Sequence, residues 1–133
     1  TPNIEGLIGL GAAADYLSAL GMGAIEAREQ ALTAGLIGRL RETPGVRVFG
    51  DAPRRTGAVS FEVDGIHPHD IAQVLDREGI AIRAGHLCAQ PLMRRLGVPA
   101  VTRASVYFYN TEEDLDRLAA GIRSAQRRFG RGA

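Results

Sequence analysis

Apolar positions divide the chain into stretches of different period. From Ile4 to Leu20, Leu, Ile and Ala recur on nearly every side of a helical projection, and after Glu5 the main polar positions are Asp15 and Ser18. A helix that is apolar all round needs cover on all sides. Left uncovered, it predicts self-association. Gly21 and Gly23 are predicted to break it. From Ala24 to Arg41 the pattern becomes amphipathic: Ile25, Leu32, Leu36 and Leu40 share one face, while Glu26, Arg28, Glu29, Arg39 and Arg41 lie largely elsewhere. That spacing predicts a core-packing helix ended by Thr43-Pro44-Gly45.

Beyond Gly45 the period drops to two. Val46 and Val48 predict a short strand, residues 50–56 a loop, and Val59, Phe61 and Val63 a longer strand closed by the Asp64-Gly65 turn. His67-Pro68-His69-Asp70 reads as a helix start, with Pro68 in the first turn and Asp70 near the positive end of the dipole. Ile71, Val74 and Leu75 are its buried face and Gly79 its stop. A strand over Gly79–Arg83, carried by Ile80 and Ile82, leads to a turn at Gly85, and Pro91 opens a short helix that ends before Gly97. Val101 to Tyr109 is the last strand. Asn110 or Thr111 caps the final helix, with Glu112, Glu113 and Asp114 in its first turn and Leu115, Leu118, Ile122 and Phe129 on its buried face. The Arg-rich end from Arg123 to Arg131 complements the dipole and then frays. Strands followed by helices without regular βαβ repetition predict an α+β fold, a small mostly antiparallel sheet with helices packed on one face. Gly21 and Gly23 set the expected boundary between a helical segment, residues 1–22, and a small domain, residues 23–133.

Composition narrows the function classes. The 133 residues suffice for one domain with a modest core, and 45% hydrophobic residues with mixed charge indicate a globular chain. A net charge of +1 offers no electrostatic reason for nucleic acid or membrane binding. The run from Leu7 to Leu20 is too short to span a bilayer. No signal peptide is visible, and the opening Thr1-Pro2-Asn3 suggests an excised piece. A single cysteine excludes an internal disulfide, which fits a reducing compartment such as the cytoplasm.

That cysteine, Cys88, is the centre of any chemistry here. It follows the Gly85 turn and precedes Pro91, which predicts an exposed connecting loop, where function concentrates. A thiol attacks as its thiolate, and Arg83 and a protonated His86 are the neighbours that would favour that form. The competing reading is a small buried apolar filler. His67 and His69 do not make a metal site, because structural zinc wants about four ligands and the sequence offers no such cluster. Arg103, within the last strand candidate, reads from pattern alone as a solvent-facing or ion-paired side chain.

Arg83-x-Gly85-His86-x-Cys88-Ala89-x-Pro91-Leu92, followed fifteen residues after the cysteine by Arg103-Ala104-Ser105 and then Tyr109-Asn110-Thr111, resembles the active-cysteine segment of the pyridoxal-phosphate cysteine desulfurases, most nearly the group II, Suf-type and selenocysteine lyase-like branch. Thr1-Pro2-Asn3 with Ile8-Gly9-Leu10-Gly11-Ala12-Ala13 is similar to the start of that family's C-terminal region. Leu87 departs from the pattern, since many members carry a second histidine there.

The resemblance implies the C-terminal small domain of a fold-type I, aspartate aminotransferase-like enzyme, with residues 1–22 bridging to an N-terminal large domain near a homodimer interface. It implies an enzyme that removes sulfur from L-cysteine to give L-alanine and a persulfide on Cys88, passed to a SufE- or SufU-type acceptor for iron-sulfur cluster assembly. Arg103 would hold the substrate carboxylate, with Arg83 and His86 assisting, and Thr1 would reach the cofactor phosphate of the other subunit. All 16 basic residues counted with lysine are arginine. Pyridoxal phosphate is held through a lysine amine, which arginine cannot replace. This stretch alone is therefore expected to be inactive, with that lysine in the large domain. Selenocysteine lyase activity, a stand-alone sulfur-accepting or docking module, and a structural domain with an inert Cys88 are the alternatives.

Overall fold

The computed structural model describes residues 1–50 and 52–130. Its first helix, α1 (Ile4–Leu20), starts where Asn3 Oδ1 accepts the Gly6 amide at 2.9 Å, an N-cap satisfying one of the free amides of the first turn. None of its residues is buried, as an all-apolar helix without cover requires. Gly21, at φ 86°, ends α1 and at once starts α2 (Met22–Glu42), and the two helices meet at an 80° bend. Gly23 is not a breaker: it sits in the first turn of α2, where glycine costs little, and the change of direction is made by the left-handed φ at Gly21. Among the described residues no single helix is long and apolar enough to cross a membrane.

The sheet has four strands, β1 (Val46–Val48), β2 (Ala58–Val63), β3 (Arg83–Gly85) and β4 (Val101–Ser105), in the order β1-β2-β4-β3 with every neighbouring pair antiparallel. Register assigns its two faces. Val59 pairs with Ala104 and Phe61 with Thr102 and Val48, so these alternate residues point to one side. There they meet α2, α3 (Pro68–Arg77) and α5 (Glu112–Arg128), burying Leu32, Leu36, Leu40, Ile71, Leu75, Leu115 and Ile122 with Phe61 in one core. Fully burying a side chain such as Phe61 or Leu36 is worth about 1.5–3 kcal/mol. As expected, Pro68 opens α3, and Ile71, Val74 and Leu75 are buried.

The α+β layer expected from the sequence is present, with α2, α3 and α5 packed on one face; the short α4 (Gln90–Leu96) lines a groove with Ala58 and Ser60 on the other. Three expectations need correction. The third strand is not Gly79–Arg83 but Arg83–Gly85. Ile80 and Ile82 do pack partly against the core, yet residues 79–82 and 104–106 line the two sides of a cavity of about 230 Å³, so the chains have separated where the ladder was expected. β4 stops at Ser105 instead of Tyr109. Val106 makes one more bond, its amide to Gly57 O at 2.7 Å; then Asn110 Oδ1 captures the Tyr107 amide and the Asn110 amide bonds Tyr107 O, both at 2.9 Å, which turns the chain. Phe129, finally, is exposed: it is the C-cap of α5, one position past the helix, and Ala125 is the last wholly buried apolar residue of that face. Arg131 lies outside the described residues.

Candidate active-cysteine site

The second face of the sheet carries the candidate residues Arg103 and Arg83. Ser60 pairs with Arg103, and Arg103 with Arg83, so one row across three strands reads Ser60, Arg103, Arg83 on the side away from the main core. Like charges directly opposite on paired strands are destabilising unless something negative lies between them. Among the described residues neither arginine has an acidic partner, whereas Arg47, on β1 of the same sheet, pairs with Glu62 across the strands at 2.6 Å. Arg83 is exposed. Arg103 is half-buried, and its Nε is enclosed without a hydrogen-bond acceptor. A buried guanidinium nitrogen left unpaired is costly and calls for an explanation. A planar fork with a free donor suits a carboxylate or phosphate.

β3 delivers the chain to the cysteine. Gly85 takes φ 123°, and a Cβ added there would stand 3.8 Å from Nε2 of His69, at the start of α3. The next four residues, His86 to Ala89, close a turn through the Ala89 amide, which donates to His86 O at 2.9 Å. Its two central residues, Leu87 and Cys88, have φ 55° and 58°. Positive φ at both central positions is the type I′ pattern, normally filled by Asn and Gly. Two side chains there cost roughly 1–2 kcal/mol each, so the neighbouring structure must hold the turn in place. On one side stands the Gly85–Val101 pairing of β3; on the other, α4 is anchored by buried Met93 and stopped at Gly97, φ 71°. Cys88 is exposed at the tip, as the sequence predicts.

Arg83, His86, Leu87 and Cys88, with Gln90 and Pro91, line one open depression of about 470 Å³. The structure therefore gathers Arg83, His86 and Cys88, and strand pairing ties Arg103 to Arg83. Thr1 stands exposed ahead of α1 and is not among the residues lining the depression. The sequence reading passed over Ser60; its signal was the polar phase of a strand alternating Val59, Ser60, Phe61, Glu62. Among the described residues no cluster of three or more potential metal ligands occurs, and His67 is the N-cap of α3, its Nδ1 accepting the His69 amide at 3.3 Å.

A small antiparallel α+β layer presenting a cysteine on a strained turn beside paired arginines defines the class, and the comparisons give the family. The aminotransferase class-V model matches residues 1–118, so the chain belongs to the aminotransferase class-V family. It is 51% identical over 130 residues to the probable cysteine desulfurase of Halalkalibacterium halodurans, covering 98% of this chain and 32% of that protein. In structure it is similar to the cysteine desulfurase CsdA of Escherichia coli in its S-sulfonic acid form, with TM-score 0.88 at 35% identity over 96% of this chain and 31% of the other. The apo cysteine desulfurase of Thermococcus onnurineus gives TM-score 0.87 at 40% identity, covering 92% and 31%. The chain thus spans about a third of the length of these relatives.

The side chains here suit the anionic substrate of a pyridoxal-phosphate site more than the cofactor itself. Arg103 offers an enclosed, unpaired nitrogen to an anion; the amine that would hold the cofactor covalently is not among these 133 residues, which contain no lysine.

Proposed function

We propose that this chain is the C-terminal part of a pyridoxal-phosphate-dependent cysteine desulfurase, in which Cys88 takes sulfur from L-cysteine. The observation that carries the reading is the placement of Cys88: exposed at the tip of a strained turn that leaves β3 directly after Gly85, with Arg83 and His86 in the same depression. An inert filler cysteine would be buried and would not occupy a left-handed position.

The roles follow from the chemistry of the groups. Arg103, through its free Nε and the rest of its fork, binds and orients the substrate carboxylate, with Arg83 beside it. The two positive groups then have the anion their juxtaposition demands. The cofactor, when bound, withdraws electrons from the amino acid's carbons, so that the bond to sulfur can break. Cys88, as the thiolate, attacks the substrate sulfur; the S–S bond forms as the S–C bond breaks, and the electron pair stays with carbon. Protonation there leads to L-alanine, and Cys88 is left as a persulfide. His86, which lines the same depression, takes up the thiol proton in this reading. An exposed turn then allows the persulfide to be passed on, in our reading to an acceptor of SufE or SufU type for iron-sulfur cluster assembly in the cytoplasm. Residues 1–22 would bridge to a large domain that supplies the lysine, in a homodimer where Thr1 reaches the cofactor phosphate of the other subunit; that domain would also cover α1.

The test is the intact mass of the full-length enzyme after incubation with pyridoxal phosphate and L-cysteine. A gain of one sulfur atom, absent in Cys88→Ala, is expected. Alanine release with no gain at Cys88 would move the chemistry elsewhere.

A further inference from the structure

Leu87 is the one residue shared by the two surfaces that meet at the cysteine turn. It lines the open depression with Cys88, Arg83 and His86, and it also lines a second groove of about 280 Å³ behind the turn, among Phe49, Ala58, Leu92, Met93 and Leu96. That groove is formed by α4 on one wall and by β2 and the end of β1 on the other. It is mainly apolar, and Leu87 is half-buried while both its neighbours, His86 and Cys88, are exposed.

The turn needs an anchor. Its conformation is unfavourable for both Leu87 and Cys88, and it is closed by one backbone hydrogen bond, Ala89 to His86. A turn of this type selected for its backbone alone would carry glycine or asparagine at these positions. A branched apolar side chain in the left-handed region makes sense where the side chain is used. We infer that Leu87 is a positioning residue: its side chain, seated in the α4–β2 groove, fixes the left-handed turn and so aims the Cys88 thiol into the depression. This rests on the desulfurase reading for its consequence, though not for its geometry.

Glycine at position 87 separates the anchor from the backbone. Leu87→Gly removes the strain at that residue and the side chain together, so the two explanations predict opposite outcomes. In the full-length enzyme loaded with pyridoxal phosphate, we expect hydrogen exchange at the Ala89 amide to quicken at least tenfold in Leu87→Gly and Leu87→Ala. Exchange in Leu87→Met, which refills the groove, should stay within about threefold of the parent. Single-turnover formation of the Cys88 persulfide should fall about tenfold in the first two variants and recover in the third. The KM for L-cysteine should stay within twofold, because the carboxylate is held elsewhere. Leu87→Gly with unchanged or slower exchange at Ala89 would overturn the anchor, as would unchanged persulfide formation beside a parent enzyme that forms it. A parent enzyme that gains no sulfur at Cys88 would instead overturn the desulfurase reading, and the exchange measurements would still decide the anchor.

Discussion

Gly57 stands where β2 begins and β4 ends, and it permits the closest backbone approach in that part of the sheet. A Cβ at this position would lie 2.1 Å from the carbonyl oxygen of Val106, 3.1 Å from its carbon and 3.2 Å from Oε1 of Glu29. The obstacle is backbone, so no rotamer change relieves it, and the end of β4 must retreat by about 1 Å to restore ordinary contact. The same two residues share a hydrogen bond, the Val106 amide to Gly57 O at 2.7 Å, which such a shift strains or breaks. Overpacking costs about 1–3 kcal/mol and a lost backbone hydrogen bond about 0.5–1.5, so Gly57→Ala is expected to destabilise by about 2–4 kcal/mol. Urea unfolding of residues 1–133 followed by circular dichroism would show this as a midpoint lower by about 1–2 M at unchanged slope. Gly9→Ala is the control: it lies in α1 with nothing within 4 Å of its Cβ, and should be neutral or stabilising by up to about 1 kcal/mol. A Gly57→Ala protein within about 0.5 kcal/mol of the parent would refute the reasoning.

Other consequences are open to simpler measurements. Thr111 and Asp114 form a reciprocal capping box on α5, so Thr111→Ala should cost about 1 kcal/mol, read by thermal unfolding. The Thr111 amide and then the Asn110 side chain hold the Asp114 carboxyl below its ordinary value of 3.8, and the Arg39 hydrogen bond does the same for Asp116. Lowered in the folded state, both groups stabilise fully above that ordinary value, and the contribution is lost as pH falls through their lower folded values. Asp116→Asn should therefore flatten the acid limb of a stability–pH curve; a limb as steep as the parent's would remove Asp116 as a contributor. Arg103→Ala in the full-length enzyme should raise the KM for L-cysteine at least tenfold, and Arg103→Lys should not restore it, since a point charge lacks the fork. Leu10→Glu, on the exposed apolar side of α1, should reduce self-association of residues 1–133 in sedimentation.

Much of the fold was legible because the core obeys simple periods. Leu32, Leu36 and Leu40 at helical spacing, and Val59, Phe61 and Val63 at strand spacing, are all buried where those periods place them. Three of the misreadings share a cause, since they fall where an apolar period outlasts the hydrogen bonding that makes an element. Ile80 and Ile82 alternate correctly yet lie outside the ladder, and Phe108 continues the phase of β4 after Asn110 has already turned the chain. Phe129 continues the phase of α5 onto its C-cap. Burial tendency is a property of side chains; termination is decided by a backbone competitor such as the Asn110 amide.

For the site, the local part was legible and the relational part was not. Gly85, Cys88 and Pro91 on one short stretch predict an exposed thiol, and the structure has it. That Arg83 faces Arg103, twenty residues on, depends on the register of β3 against β4, and no periodicity fixes register between two short strands. Within this sheet the distinction is chemical as well as geometric. Arg47 meets Glu62 across β1 and β2 and is satisfied; Arg103 meets a second arginine, with its Nε enclosed and unpaired. The same residue type on the same sheet is thus a surface ion pair in one row and an open demand for an anion in another. Under the proposed function that demand is met by the substrate carboxylate, with the thiol on the turn beside it.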